Sequence, residues 1–134
     1  MAKGAADPFE LTDFGVYYPR GYLVVAFRRR EDAQRVRQDL LTGGYDPDDV
    51  QLFTADEVAR RAARDLEVNS GILARLGRSD EAVQAHLKAA REGCTFLFVY
   101  APGDLELGRA MNVVRRVPFE LAHHYHRFAI HVLK

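Results

Sequence analysis

The chain has 134 residues, of which 48% are hydrophobic and 28% charged, a balance typical of one globular domain. Its 19 Lys and Arg residues balance 19 Asp and Glu residues, which argues against a dedicated binder of nucleic acid or anionic membranes. The single cysteine, Cys94, excludes an intramolecular disulfide and any multi-cysteine metal site. No apolar run is long enough for a membrane span, and no signal-peptide pattern opens the chain. We therefore expect a soluble, cytoplasmic protein.

The domain is placed at residues 21–134. An irregular N-terminal arm at 1–20 precedes it, and the first eight residues of this arm end in Pro8. The near-continuous apolar run at 21–27 predicts a strand covered on both faces. A helix follows, which begins with two acidic residues at the positive end of its dipole and ends at a Gly-Gly pair. A short strand at 50–53 completes a first strand–helix–strand unit.

A helical stretch at 54–93 separates this unit from the second one. Thr54 and Glu57 have the spacing of a capping box and start a helix that runs to about residue 68. A connector at 69–79 leads to a helix that ends at Gly93.

The second unit repeats the strand–helix–strand pattern. The apolar run at 94–100 predicts another buried strand, and Asp104 can cap the helix after it. Pro118 breaks that helix, and residues 119–133 read as one last extended segment.

The distribution of apolar residues predicts the sheet. Strands one and three are the most apolar and belong inside, whereas the short second strand and the His- and Arg-bearing fourth belong at the edges. This predicts an α+β fold: a ferredoxin-like βαβ…βαβ sandwich in which helices are inserted between strands two and three. A small parallel α/β sheet is the alternative.

Three segments resemble a known family. They are LLTGGYD at 40–46, AAREGCTFLFV at 89–99 and AHHYHRFAI at 122–130. On these segments the chain resembles the small bacterial general-stress or heat-induced stress proteins over residues 21–131. The resemblance implies a stress-associated bacterial protein, and it brings no agreed activity and no catalytic residues.

Histidines are the best candidates for chemistry. In an extended segment His124 and His126 share one face, and His123 and His131 share the other. His124 and His126 are therefore candidate metal or small-ligand residues, with His86 as a third ligand from an inward-facing helix position.

The alternative to ligand binding is a structural role, in which these histidines line an edge strand or a dimer interface. In that interpretation His123, Tyr125 and Arg127 line the contact, and the histidines could make it sensitive to pH.

Three arginines, Arg28, Arg29 and Arg30, follow the first strand, where ligand-binding loops often lie in α/β proteins. They form a candidate anion site, or a nucleic-acid surface together with nearby tyrosines. Glu31 and Asp32 occupy the helix start that a phosphate would need, and no Gly-rich cradle occurs. An RNP aromatic pattern is also missing from the third strand.

No residue stands in a catalytic motif. Cys94 comes just after a helix C-terminus, which is the wrong end of the dipole for a reactive thiol, so we expect it in the core. The sequence thus favours a non-enzymatic, self-associating stress-type module that forms a homodimer and needs no cofactor. The alternatives are a small-ligand or metal-binding protein that uses the cluster of His123, His124 and His126, and a nucleic-acid binder that uses the three arginines.

Overall fold

Five strands and four helical segments make up the part of the chain that the computed structural model describes, which is residues 20–61, 79–126 and 130–134. The strands are β1 (Tyr22–Phe27), β2 (Val50–Phe53), β3 (Thr95–Tyr100), β4 (Leu121–Tyr125) and β5 (Ile130–Val132). The helices are α1 (Arg30–Thr42), α2 (helical over 55–61), α3 (Ser79–Arg91) and α4 (Asp104–Val114), and a 3₁₀ turn (Pro47–Asp49) precedes β2. Residues 1–19 of the predicted arm lie outside the described residues. So do residues 69–78 of the predicted connector.

The strands form one sheet in the order β2-β3-β1-β4-β5, and every neighbouring pair is antiparallel. The predicted α+β class is confirmed, and the parallel alternative is wrong. The single extended segment predicted at 119–133 is also wrong, because the chain reverses between Tyr125 and Ile130, which pair with each other. The fourth strand therefore lies inside the sheet, and β5 forms its edge.

Helices cover both faces of the sheet. On one face, α1 and α4 pack against alternate residues of β1 and β3, including Leu23, Val25 and Leu97. On the other face, α2 and α3 pack against the intervening residues, including Val24 and Phe96. This second layer comes from the helical stretch that the sequence placed between strands two and three. Double coverage explains why all six residues of β1 have 0% exposure.

Local sequence signals fix the element ends. Glu57 donates its backbone N–H to the Thr54 hydroxyl at 3.2 Å, and the Glu57 carboxylate accepts from the Thr54 N–H at 2.9 Å, which confirms the capping box. Gly93 ends α3 with φ +88°, as predicted. The start of α4 differs from the prediction, because the Glu106 carboxylate accepts from the Gly103 N–H at 3.0 Å and Asp104 is the first helical residue.

No helix in the described ranges is both long enough and apolar enough to cross a bilayer.

We expect Gly21→Ala to destabilise the protein more than Gly93→Ala. Both glycines have a positive φ, +86° and +88°, which costs an alanine roughly 1–2 kcal/mol. A Cβ at Gly21 would also lie 3.0 Å from Cε1 of Tyr100, whereas a Cβ at Gly93 meets nothing within 4 Å. Urea unfolding of the two variants measures the difference. Equal losses would show that the Tyr100 ring moves aside freely.

Candidate functional site

Two histidine clusters lie on opposite faces of the sheet, and both include a residue of β4. Consecutive side chains of a strand point to opposite faces, so the adjacent residues His123 and His124 enter different layers. His123 lies opposite Val24, on the face covered by α2 and α3. His124 lies opposite Leu23, on the face covered by α1 and α4.

The first cluster joins β4 to α3. Nε2 of His86, a residue of α3 with 0% exposure, lies 3.2 Å from Nδ1 of His123 and 3.3 Å from the hydroxyl of Tyr125. The two imidazole rings stack with centroids 5.1 Å apart and planes inclined by 25°. We call these three residues the inner cluster.

Burial sets the charge of the inner cluster. Desolvation, and secondarily the neighbouring His123, lower the pKa of His86 well below its usual value. Desolvation also lowers the pKa of His123. Both rings are therefore neutral at neutral pH. Either His86 Nε2 or His123 Nδ1 carries the proton of the hydrogen bond between them, and the other nitrogen accepts.

The second cluster consists of His124, His126 and His131, and we call it the outer cluster. Nε2 of His124 donates to the backbone carbonyl of Ala101 at 2.6 Å, because a carbonyl oxygen can only accept. In the neutral ring Nδ1 of His124 is then an acceptor, and His126 Nε2 donates a hydrogen bond to it at 2.9 Å. The ring of His131 lies 4.0 Å from that of His126, centroid to centroid.

Desolvation lowers the pKa of His124 as well, partly opposed by its hydrogen bond to Ala101. Burial therefore favours the neutral His124 ring, in which Nε2 donates to the Ala101 carbonyl and Nδ1 accepts.

The structure does not assemble the predicted metal site. His124 and His126 lie on one face as predicted, but His86 belongs to the opposite face, so the proposed third ligand never meets the other two. Both ring nitrogens of His124 are already used in hydrogen bonds. Within the described ranges no group of three or more His, Cys, Asp or Glu residues is arranged to hold a metal ion.

The predicted pairing of His131 with His123 is also wrong. It assumed one continuous strand, but β5 folds back on β4 and places His131 directly opposite His124. Residues directly opposite each other in an antiparallel pair point to the same face, so the face of each β5 residue follows from its partner in β4.

Acidic side chains already lie close to two of the three arginines of the candidate anion site. Nε of Arg28 lies 2.7 Å from a carboxylate oxygen of Glu120, and its Nη2 lies 3.9 Å from Glu92. Arg29 lies 3.9 Å from Glu31, and Arg30 is the first residue of α1. Carboxylates from two other parts of the chain therefore compete with any anion for Arg28.

The predicted interface residues also separate. Tyr125 has 0% exposure and belongs to the core, so it cannot line an exposed contact. His123 keeps 7% exposure, and Arg127 lies outside the described residues. Cys94 is buried at 1% exposure, and burial raises the pKa of its thiol, in keeping with the predicted core position.

A cleft of about 210 Å³ opens beside the inner cluster, between α3 and β5. The described residues that line it are Glu81, Ala82, Ala85, His123, Ile130 and Val132. The inward position of His86 was readable from the helical stripe, but the cleft was not, because it depends on the reversal that brings β5 next to α3.

No protein-family model matches the chain, and no curated protein and no solved structure matches it either.

We expect acidification to destabilise the protein. Histidines whose folded pKa is lowered bind fewer protons in the folded state than in the unfolded chain, so the free energy of unfolding falls as the pH drops below about 6.5. His86 contributes a slope of up to about 1.4 kcal/mol per pH unit in that range. Urea unfolding between about pH 5 and about pH 8 measures the slope.

Replacing the buried ring tests the source of this slope. His86→Leu lowers stability at neutral pH, because it removes a partner of His123, but it also flattens the pH dependence. Val83→Ala is the matched control: it creates a cavity on the same helix without removing a titrating group, so the slope stays as in the parent protein. An unchanged slope in His86→Leu would contradict the assignment.

Proposed function

We propose that this protein is a non-enzymatic module that self-associates as a homodimer through strand β5. The open edge of β5 is the observation that carries the proposal. Among the described residues no strand lies beyond β5, and its sequence, Ile130-His131-Val132, contains no Lys, Arg, Asp, Glu or Pro. Such residues are the usual means by which proteins prevent edge strands from pairing.

The backbone of β5 offers two residues for pairing. The Leu133 N–H donates to the Ala122 carbonyl at 2.8 Å, so the polar backbone groups of Leu133 point toward β4. Alternation along an antiparallel strand then directs those of His131 toward β4 and those of Ile130 and Val132 outward.

This pattern is complementary to itself. In an antiparallel pair of two copies, Ile130 of each protomer faces Val132 of its partner, and the two outward residues exchange N–H and C=O groups. The two-fold axis then passes beside His131, which faces the partner's His131. The exposed Val132 side chain, at 66% exposure, adds apolar surface next to the seam.

The opposite edge of the sheet is better protected. Nε of Arg37 donates to the Val50 carbonyl of β2 at 2.9 Å, which occupies an outward acceptor. The 3₁₀ turn before β2 carries Asp48 and Asp49, whose charges oppose pairing with an identical edge. Self-association therefore favours β5 over β2.

The expected affinity is modest. A three-residue strand pair buries much less than the roughly 800 Å² per partner of a standard stable interface. We therefore expect a dimer that dissociates in the micromolar range or above.

We also propose that the sheet belongs to the ferredoxin-like topology. The order β2-β3-β1-β4, with α1 and α4 on one face, supports a ferredoxin-like core to which β5 and the second helical layer are added. We further propose a cytoplasmic protein of the bacterial general-stress type, which rests on the resemblance of its sequence segments.

We expect Val132→Pro to abolish dimerisation and leave the monomer folded. Proline removes an outward N–H and keeps the bonds between β4 and β5, as is tolerated on edge strands. Leu52→Pro is the control for the other edge, because alternation from Val50 directs its N–H outward at β2; since the Leu52 side chain packs against the core, circular dichroism first checks that this variant is folded. Native mass spectrometry from about 1 μM to about 1 mM measures the dimer fraction. Loss of the dimer in Leu52→Pro instead would place the interface at β2.

We expect His131→Lys to weaken the dimer at least about tenfold, since like charges directly opposite each other across two strands are destabilising. His131→Gln keeps a polar, uncharged side chain and should dimerise like the parent protein. Sedimentation equilibrium gives both dissociation constants. Equal constants for the two variants would rule out a seam centred on His131.

A further inference from the structure

We propose that the cleft between α3 and β5 binds a small, uncharged, one-ring molecule with a hydroxyl group, such as a phenol, and that Nε2 of His123 hydrogen-bonds to that hydroxyl. This inference goes beyond self-association, since it assigns a ligand site to the side chains on the α3 face of the sheet, whereas the dimer seam uses the backbone edge of β5.

The side chains of α3 and β5 that face each other across the cleft are apolar, and the volume of the cleft limits the size of a ligand. Ala82 and Ala85 of α3 face Ile130 and Val132 of β5 across it. Its volume of about 210 Å³ is below the roughly 300 Å³ at which pockets for drug-sized ligands begin. The small side chains of the two alanines create this space, and a flat ring fits between such walls.

His123 supplies a fixed polar group in this apolar surrounding. Its Nδ1 is held by Nε2 of His86, and the two nitrogens of an imidazole point in nearly opposite directions. Nε2 of His123 is therefore turned away from the core, toward the cleft that the ring lines. None of the described residues forms a hydrogen bond with this nitrogen, and the ring keeps 7% exposure.

The inner cluster holds this nitrogen in place. His86 has 0% exposure, and its Nε2 also lies 3.3 Å from the hydroxyl of Tyr125. Stacking of the two imidazoles further restricts rotation of the His123 ring. A ligand therefore meets a group that is already oriented, which reduces the entropy lost on binding.

The chemistry of the cleft selects an uncharged hydroxyl compound. The proton shared by the two histidines can lie on either one, so Nε2 of His123 is either an acceptor or a donor. A hydroxyl group satisfies both cases. The carboxylate of Glu81 at the rim repels anions, and the alanine, isoleucine and valine walls make a charged group costly to desolvate.

Fluorine NMR titration of the full chain with 4-fluorophenol tests the proposal. Fluorobenzene, which lacks the hydroxyl, and 4-fluorobenzoate, which is an anion, are the comparison ligands. We expect 4-fluorophenol to bind at least about tenfold more tightly than either. The proposal is overturned if 4-fluorophenol does not bind, or if fluorobenzene binds equally well.

Two substitutions on α3 locate the site. Ala85→Leu fills the cleft and should weaken 4-fluorophenol binding at least about tenfold. Gln84→Leu adds apolar surface at the neighbouring exposed position and should leave the affinity within about twofold. Equal affinity in the parent protein and in Ala85→Leu would show that the ligand binds elsewhere.

The variant His131→Lys separates this proposal from dimerisation. His131 faces the other side of the sheet, together with His124, so a monomeric variant keeps the cleft intact. It should bind 4-fluorophenol with the affinity of the parent protein. A loss of both the dimer and the ligand in this variant would mean that the cleft depends on the partner protomer, contrary to the proposal.

Discussion

The burial of β1 on both faces is the constraint on which the rest of the structure depends. All six of its residues are fully covered. β3 pairs with all of them, and β4 pairs with the four residues from Leu23 to Ala26. A strand so apolar in both directions cannot leave either side of the sheet open to water, because exposing it would forgo the hydrophobic free energy that drives folding. The helices of the connecting stretch must therefore cover the face that α1 and α4 leave uncovered.

This constraint explains why much of the fold was readable from the sequence. A strand covered on both faces has a continuous apolar run, and such runs at 21–27 and 94–100 placed β1 and β3 to within about one residue. The capping box and Gly93 were also readable, since their interactions span only a few residues. The reversal between β4 and β5 was not, because His126-Arg127-Phe128-Ala129 contains none of the Gly, Pro, Asn, Asp or Ser residues that mark a turn.

The candidate sites depended on long-range strand pairing, which the sequence did not predict. The position of His86 toward the core followed from its helical stripe, but its partner could be named only once β4 had a register. The same holds for Arg28, whose closest carboxylate, Glu120, lies 92 positions away in the chain. Local patterns identify which residues are able to do chemistry, and long-range pairing decides which of them meet.

The order of residues in β4 has one more consequence. If β4 slid by one residue along β1, His124 would enter the place of His123, and the two adjacent imidazoles would exchange layers without a change of residue type. The same slip would force His123 into the fully buried place of Ala122 and would turn Tyr125 toward the Ala101 carbonyl. The small buried space at Ala122, which cannot take the His123 ring, and the separate place of the Tyr125 ring therefore fix the alignment of β4.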